Sequence, residues 1–172
     1  KKIVVSTYQS VSGAGQQAMN ELTNQSECFL NKSKIVSNIF PKQIAFNVIP
    51  QIDTFTENGF TKEEMKMVNE TKKILDSNIE VNATCVRVPS YIGHAESVYI
   101  ELENKIDLND IENVLNESEG IKYDKENFHT PLDSAGKDWV YVSRLRKDLV
   151  KDNALNLWIV SDNLLKGAAL NS

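Results

Sequence analysis

Apolar residues follow two rhythms along this chain, and the changes of rhythm predict its elements. Residues 3–8 are β-branched and apolar, as in a strand, and Gly13 and Gly15 interrupt them. Ala18, Met19 and Leu22 share one helical face, predicting a helix over 14–23. Residues 24–40 are rich in Asn, Ser and Lys and predict a long surface loop. The apolar run 44–50, closed by Pro50, predicts a strand or a buried connection. Thr61 with Glu64 three residues on is a capping box, and Met65, Val68 and Leu75 keep helical spacing towards Asp76. Residues 79–88 alternate, with Val81, Ala83, Cys85 and Arg87 on one face. A second alternating run spans 97–103. Asp107 caps a helix carrying Ile111, Val114 and Leu115. A short strand holds Tyr123, residues 125–138 predict a loop, strands follow over 140–145 and 155–160, and Asp162 caps a final helix.

Strand pairs with short connections imply antiparallel neighbours, and strand–helix–strand passages imply parallel ones. The expected fold is α+β: a mixed, largely antiparallel sheet with helices on one face. The expected organisation is one domain over residues 1–172. Trp139, Tyr141, Leu157 and Trp158 are more than one helical layer should bury, so the other face is expected to pair with a second copy in a homodimer.

Charge and composition narrow the partners. A net charge of −5 argues against nucleic acid, which requires a basic face. No apolar run approaches the roughly 18 residues of a membrane helix, so no membrane partner is expected. Cys28 and Cys85 form no disulfide framework, which fits a reducing cytoplasm. No Cys/His cluster has metal-ligand spacing, so no metal is expected.

The chemistry concentrates between Cys85 and Ser97. Arg87 ends an alternating run; Pro89, a short loop and Gly93 then lead to His94, one of only two histidines. Arginine grips a carboxylate or phosphate with a fixed fork, and histidine moves protons near neutral pH. The plain alternatives are an ion pair for Arg87 and an idle loop histidine. Glu96 is close enough in sequence to orient the His94 ring. Glu63 and Lys66, one helical turn apart, read from their spacing alone as an ordinary surface pair. Gln9 reads as a sheet-edge glutamine, and Asp162-Asn163 as a helix cap.

Five blocks together resemble a known family. They are Val4–Gly15, Glu63-Glu64-Met65-Lys66, Cys85–Ser97, Trp139–Asp148 and Leu157–Ala169. In this order they are similar to the substrate-binding and dimerisation domain of bacterial aspartate-β-semialdehyde dehydrogenases. The resemblance implies that Arg87 holds a substrate α-carboxylate, that His94 is the acid/base, and that Gln9 positions an acyl intermediate. It implies that Glu63 meets the substrate ammonium and Lys66 its phosphate, with Ser12, Gly13 and Asn163 near the nicotinamide of NADP. The substrates so implied are L-aspartyl-4-phosphate, aspartate semialdehyde and phosphate. In the family loop a serine usually follows the histidine; here it is Ala95.

Two parts of the resembled enzyme have no counterpart in this sequence. There is no Asn-Cys-Ser/Thr nucleophile motif. Ser12-Gly13-Ala14-Gly15 lacks the third glycine and distal acid of a dinucleotide-binding turn. The chain is therefore expected to be a fragment without turnover of its own. A small-molecule-binding regulatory domain and a purely structural dimerisation module are the rival classes.

Overall fold

The computed structural model describes residues 1–166. Six strands form one mixed sheet in the order β2-β1-β3-β6-β5-β4. They are β1 (Lys2–Gln9), β2 (Glu80–Arg87), β3 (His94–Glu101), β4 (Ile121–Asp124), β5 (Val140–Lys147) and β6 (Ala154–Ser161). β1 runs parallel to β2 and β4 parallel to β5; the other three pairings are antiparallel. The α+β expectation holds.

The period of two assigns the faces. Val5 of β1 lies opposite Ala83 of β2 and Val98 of β3, and Val98 lies opposite Leu157 of β6. These residues are buried together with Val142, Leu155 and Ile106 in the main core. Met67 of α2 (Lys62–Ile74) and Ile111 and Leu115 of α3 (Leu108–Glu117) pack against it. Leu157 therefore belongs to the helical side and not to the face expected to pair with a second copy. The opposite face carries Tyr8 and Trp158, whose rings meet at 5.6 Å, with Tyr141, Ala95 and Val160 beside them. One corner of that face is covered by the segment before β5. There the His129 ring stacks on Tyr141 at 4.3 Å, and the Trp158 indole N–H donates to the His129 carbonyl.

α1 (Gln16–Leu30) runs well past the predicted end, through residues expected to be loop. Its inward positions include Glu21 and Gln25, which are polar and so hid the helical pattern. The Glu21 carboxylate accepts the backbone N–H groups of Asn38, Ile39 and Phe40; the Gln25 carbonyl accepts those of Ile44 and Ala45. The long segment after α1 is thus held by helix side chains that satisfy its backbone. It seals a second core of Val11, Ala18, Leu22, Phe40, Ile44, Ala45 and Ile49. Of the apolar run 44–50, Ile44, Ala45 and Ile49 are buried in this core, while Phe46 and Val48 are exposed. The run meets the sheet where Ile49 and Arg87 exchange backbone hydrogen bonds.

Three smaller differences follow from local chemistry. β3 starts at His94, which pairs with Ser161, so this histidine opens a strand. The loop 125–138 contains a short helix, α4 (Pro131–Ser134), opened by Thr130, whose N–H and hydroxyl both donate to the Asp133 carboxylate. β5 continues to Lys147 through a bulge, where Arg144 takes φ 56°. Of the predicted final helix, only the entry falls within the described residues: Asp162 accepts from the N–H groups of Leu164 and Leu165, as an N-cap does.

Candidate active site at the end of the parallel strand pair

The parallel register of β1 and β2 sets Gln9 opposite Arg87 at one end of the sheet. β3 begins at that same end with His94. A cavity of about 360 Å³ opens there, lined by Gln9, Gly13, Ile52, Glu63, Lys66, Arg87, His94 and Asn163. Seven of the eight residues singled out in the sequence line it. The eighth, Ser12, is bonded to Asn163 just behind the wall.

Arg87 is 6% exposed, and burial lowers its pKa from the ordinary guanidinium value. The nearby Glu63 charge opposes that shift. One guanidinium nitrogen, Nη1, donates to the Ser10 carbonyl at 2.7 Å. Among the described residues Arg87 makes no ion pair, so the structural ion pair considered from sequence is not its partner. A buried cation with no salt bridge, opening on a cavity, can receive an anion.

His94 is held from behind. The Ser10 N–H donates to its Nδ1 at 3.1 Å, and the Ser10 hydroxyl lies 3.2 Å from the same atom. Ser10 thus orients the ring, the role considered from sequence for Glu96. Burial, with the Arg87 charge adding to it, pushes the His94 pKa down to about 4, against the raising influence of Gly93 and Asp162. The imidazole is therefore neutral near pH 7. Glu96 lies further along β3, opposite Thr7, and burial raises its pKa.

A hydrogen-bonded cluster ties this corner together. Asn163 Oδ1 accepts from the Gly93 N–H at 2.9 Å and from the Ser10 and Ser12 hydroxyls, and its Nδ2 donates to Ser12. Asn163 is therefore not the helix cap; Asp162 is, and Asp162 also accepts the Gly136 N–H. Gly93 has φ +89°, and a Cβ there would lie 2.8 Å from the Pro131 carbonyl oxygen, so glycine is required twice over. At Gly13 the reason is space. A Cβ would stand 3.1 Å from Arg87 Nη1 and 3.5 Å from His94 Nε2, in the gap between the two groups.

The third wall is the first turn of α2. Glu63 accepts from the Gln9 amide at 3.4 Å, and that amide also reaches Thr7 at 3.3 Å. Glu63 and Lys66 make no ion pair with each other among the described residues; both turn to the cavity. Cys85 lies close by but is buried, and burial pushes its thiol up to about 11, a poor nucleophile.

Known proteins resemble this chain along nearly its whole length. Residues 1–166 match the family described as semialdehyde dehydrogenase, dimerisation domain. The chain belongs to this family. The domain is 50% identical over 184 residues to an aspartate-semialdehyde dehydrogenase of Bacillus subtilis, covering 99% of this chain and 53% of that protein. It is 52% identical over 175 residues to the enzyme of Shewanella violacea, covering 99% and 52%. The semialdehyde dehydrogenase domain thus spans about half the length of the relatives it matches. Its fold is that of aspartate semialdehyde dehydrogenase II from Vibrio cholerae, solved in complex with ASA. The TM-score is 0.96 at 50% identity, over 99% of this chain and 52% of that one. The Candida albicans enzyme, solved with NADP, shares the fold alone, with a TM-score of 0.67 at 23% identity over 98% of this chain and 47% of that one.

Ser10, Glu64 and the cavity-lining Ile52 are site-building residues that sequence reasoning passed over. Glu64 is buried and accepts the Cys85 N–H at 2.9 Å while its other oxygen completes the capping box. Its signal was present, as the capping box, but read as local. Ser10 acts mainly through its backbone N–H, which no residue type advertises.

Proposed function

We propose that this domain is the substrate-binding and dimerisation half of an aspartate-semialdehyde dehydrogenase. The reaction so assigned is the reductive dephosphorylation of L-aspartyl-4-phosphate to aspartate semialdehyde and phosphate. The observation that carries the reading is Arg87, buried and with no salt bridge among the described residues, on the wall of a cavity it shares with His94. Its fork is the partner for the substrate α-carboxylate. Glu63 offers a carboxylate to the substrate ammonium, and Lys66 an ammonium to its phosphate. Gln9, whose amide donates to Thr7 and Glu63 on the cavity wall, positions the acyl intermediate in this reading. His94, on the cavity wall, is the acid/base of this reading.

The nucleophilic cysteine and the main dinucleotide site are assigned to the other half of the enzyme. NADPH, when bound there, supplies the hydride. The resemblance implies a nicotinamide near Gly13, where the missing side chain keeps the space between Arg87 and His94 open. Ser12 and Asn163 spend their polar atoms on each other and back this wall rather than reaching across it. The uncovered face around Tyr8, Tyr99 and Trp158 is assigned to a homodimer.

Kinetics of the full-length enzyme test the assignment. Arg87→Lys keeps the charge but loses the fork, and should cost about 2–4 kcal/mol in kcat/KM. His94→Asn should lower kcat by about 10²–10⁴. This domain alone should leave phosphate-dependent reduction of NADP⁺ by aspartate semialdehyde at background. Wild-type kinetics in either variant, or turnover by the isolated domain, would overturn the assignment.

A further inference from the structure

We infer that Ile52 is a specificity-determining residue: it is the partition between the active-site cavity and a second cavity, and it limits the bulk accepted at the amino-acid end of the substrate. Among the described residues that line the active-site cavity, Ile52 is the one apolar side chain. A second cavity of about 230 Å³ lies beside the first, with Phe40, Pro41, Gln51 and Asp53 in its walls. Ile52 and Arg87 line both cavities. The boundary between the two spaces therefore runs through these two residues.

Local bonds hold Ile52 in this position. Three residues earlier, Ile49 exchanges backbone hydrogen bonds with Arg87, which ties the segment to the end of β2. One residue later the backbone turns sharply, with Asp53 at φ 67°. Aspartate is among the few residue types that tolerate this left-handed region. Asp53 is secured on both sides: its carbonyl accepts from the Gln51 amide at 3.2 Å, and its carboxylate accepts the Thr54 N–H at 2.6 Å. The turn leaves Asp53 exposed and Gln51 half-buried, while Ile52 is 7% exposed.

The consequence for the substrate rests on the function proposed above. With the substrate α-carboxylate on Arg87 and its ammonium group on Glu63, the α-carbon belongs to the Arg87 end of the cavity, where Ile52 is the wall. A β-branched hydrocarbon is stiff and has no polar atom to offer, so it acts on the ligand by volume alone. A wall of this kind admits an amino-acid aldehyde with hydrogen on the α-carbon and crowds the same aldehyde carrying a methyl group there. Shortening Ile52 would join the two cavities and make room for that methyl. One such group in a packed pocket changes kcat/KM by about 10–200-fold.

The full-length enzyme, assayed with aspartate semialdehyde and with 2-methylaspartate semialdehyde, tests this role. The readout is the ratio of the two kcat/KM values within one protein, which a general loss of folded or active enzyme does not move. The wild type should favour aspartate semialdehyde by about tenfold or more, and Ile52→Ala should shrink that preference by about tenfold. Ile52→Val removes a single methyl and should move the ratio in the same direction by a smaller factor, which keeps the test decisive where the alanine variant does not fold. A wild type that uses both aldehydes equally well, or a ratio unchanged in the folded variants, would overturn the inference and leave the proposed reaction standing. A wild type that does not turn over aspartate semialdehyde would instead overturn the proposed reaction itself.

Discussion

Glu64 joins helix α2 to strand β2: one carboxylate oxygen accepts the Cys85 N–H at 2.9 Å, and the other accepts the Thr61 N–H at 2.7 Å. The same residue that starts the helix therefore fixes its position against the sheet. Glu63 and Lys66 share its helical turn, so this clamp also sets them over Arg87. Glu64→Ala would leave two buried N–H groups without acceptors. It should cost about 2–4 kcal/mol in chemical unfolding. Glu64→Gln, which keeps one acceptor, should cost less. Equal stability of all three proteins would show that the clamp is dispensable.

At Gly13 the expected loss is of binding and not of folding. Its backbone carries no left-handed strain, so alanine costs little there in stability. The added methyl would stand in the gap between Arg87 and His94. Gly13→Ala should keep the melting temperature within a few degrees while weakening the binding of aspartate semialdehyde. Unchanged affinity would mean that the ligand does not approach this gap.

His94 makes stability depend on pH with a defined sign. Its folded pKa, about 4, lies below the ordinary value near 6.5, so the unfolded chain binds more protons between them. The stability His94 contributes is full above about pH 6.5 and is lost as pH falls towards about 4. Glu96, raised by burial, acts in the opposite sense, losing stability as pH rises. The two are separated by comparing the wild type with His94→Gln: the wild type should lose more stability on acidification through this window. Parallel curves would mean that the imidazole is not held neutral.

Much of this fold was legible because its signals are local. The Thr61–Glu64 box and the alternation of Val81, Ala83, Cys85 and Arg87 are each contained within a few residues. The extension of α1 was not legible, because Glu21 and Gln25 face inward to serve a loop that lies apart in sequence. The convergence of Gln9, Arg87 and His94 depends on strand order, which alternation does not specify; the resemblance of five sequence blocks supplied it. Leu157 and Trp158 are neighbours on opposite faces, and only the register with Val98 and Ser97 tells which face is which.

The uncovered face predicts association. Val4, on that face, is 37% exposed, and Tyr8, Tyr99 and Trp158 lie near it without a helical layer. Sedimentation at micromolar concentration should give a dimer of this chain. A species at the monomer mass of 19.4 kDa throughout that range would contradict it.

The central claim is that Arg87 receives the carboxylate of the substrate. Amide NMR of this chain during titration with aspartate semialdehyde tests it most directly. Saturable shifts confined to Gln9, Gly13, Glu63, Arg87 and His94, abolished in Arg87→Lys, are the predicted result. Shifts elsewhere, or the same titration in Arg87→Lys, would contradict it.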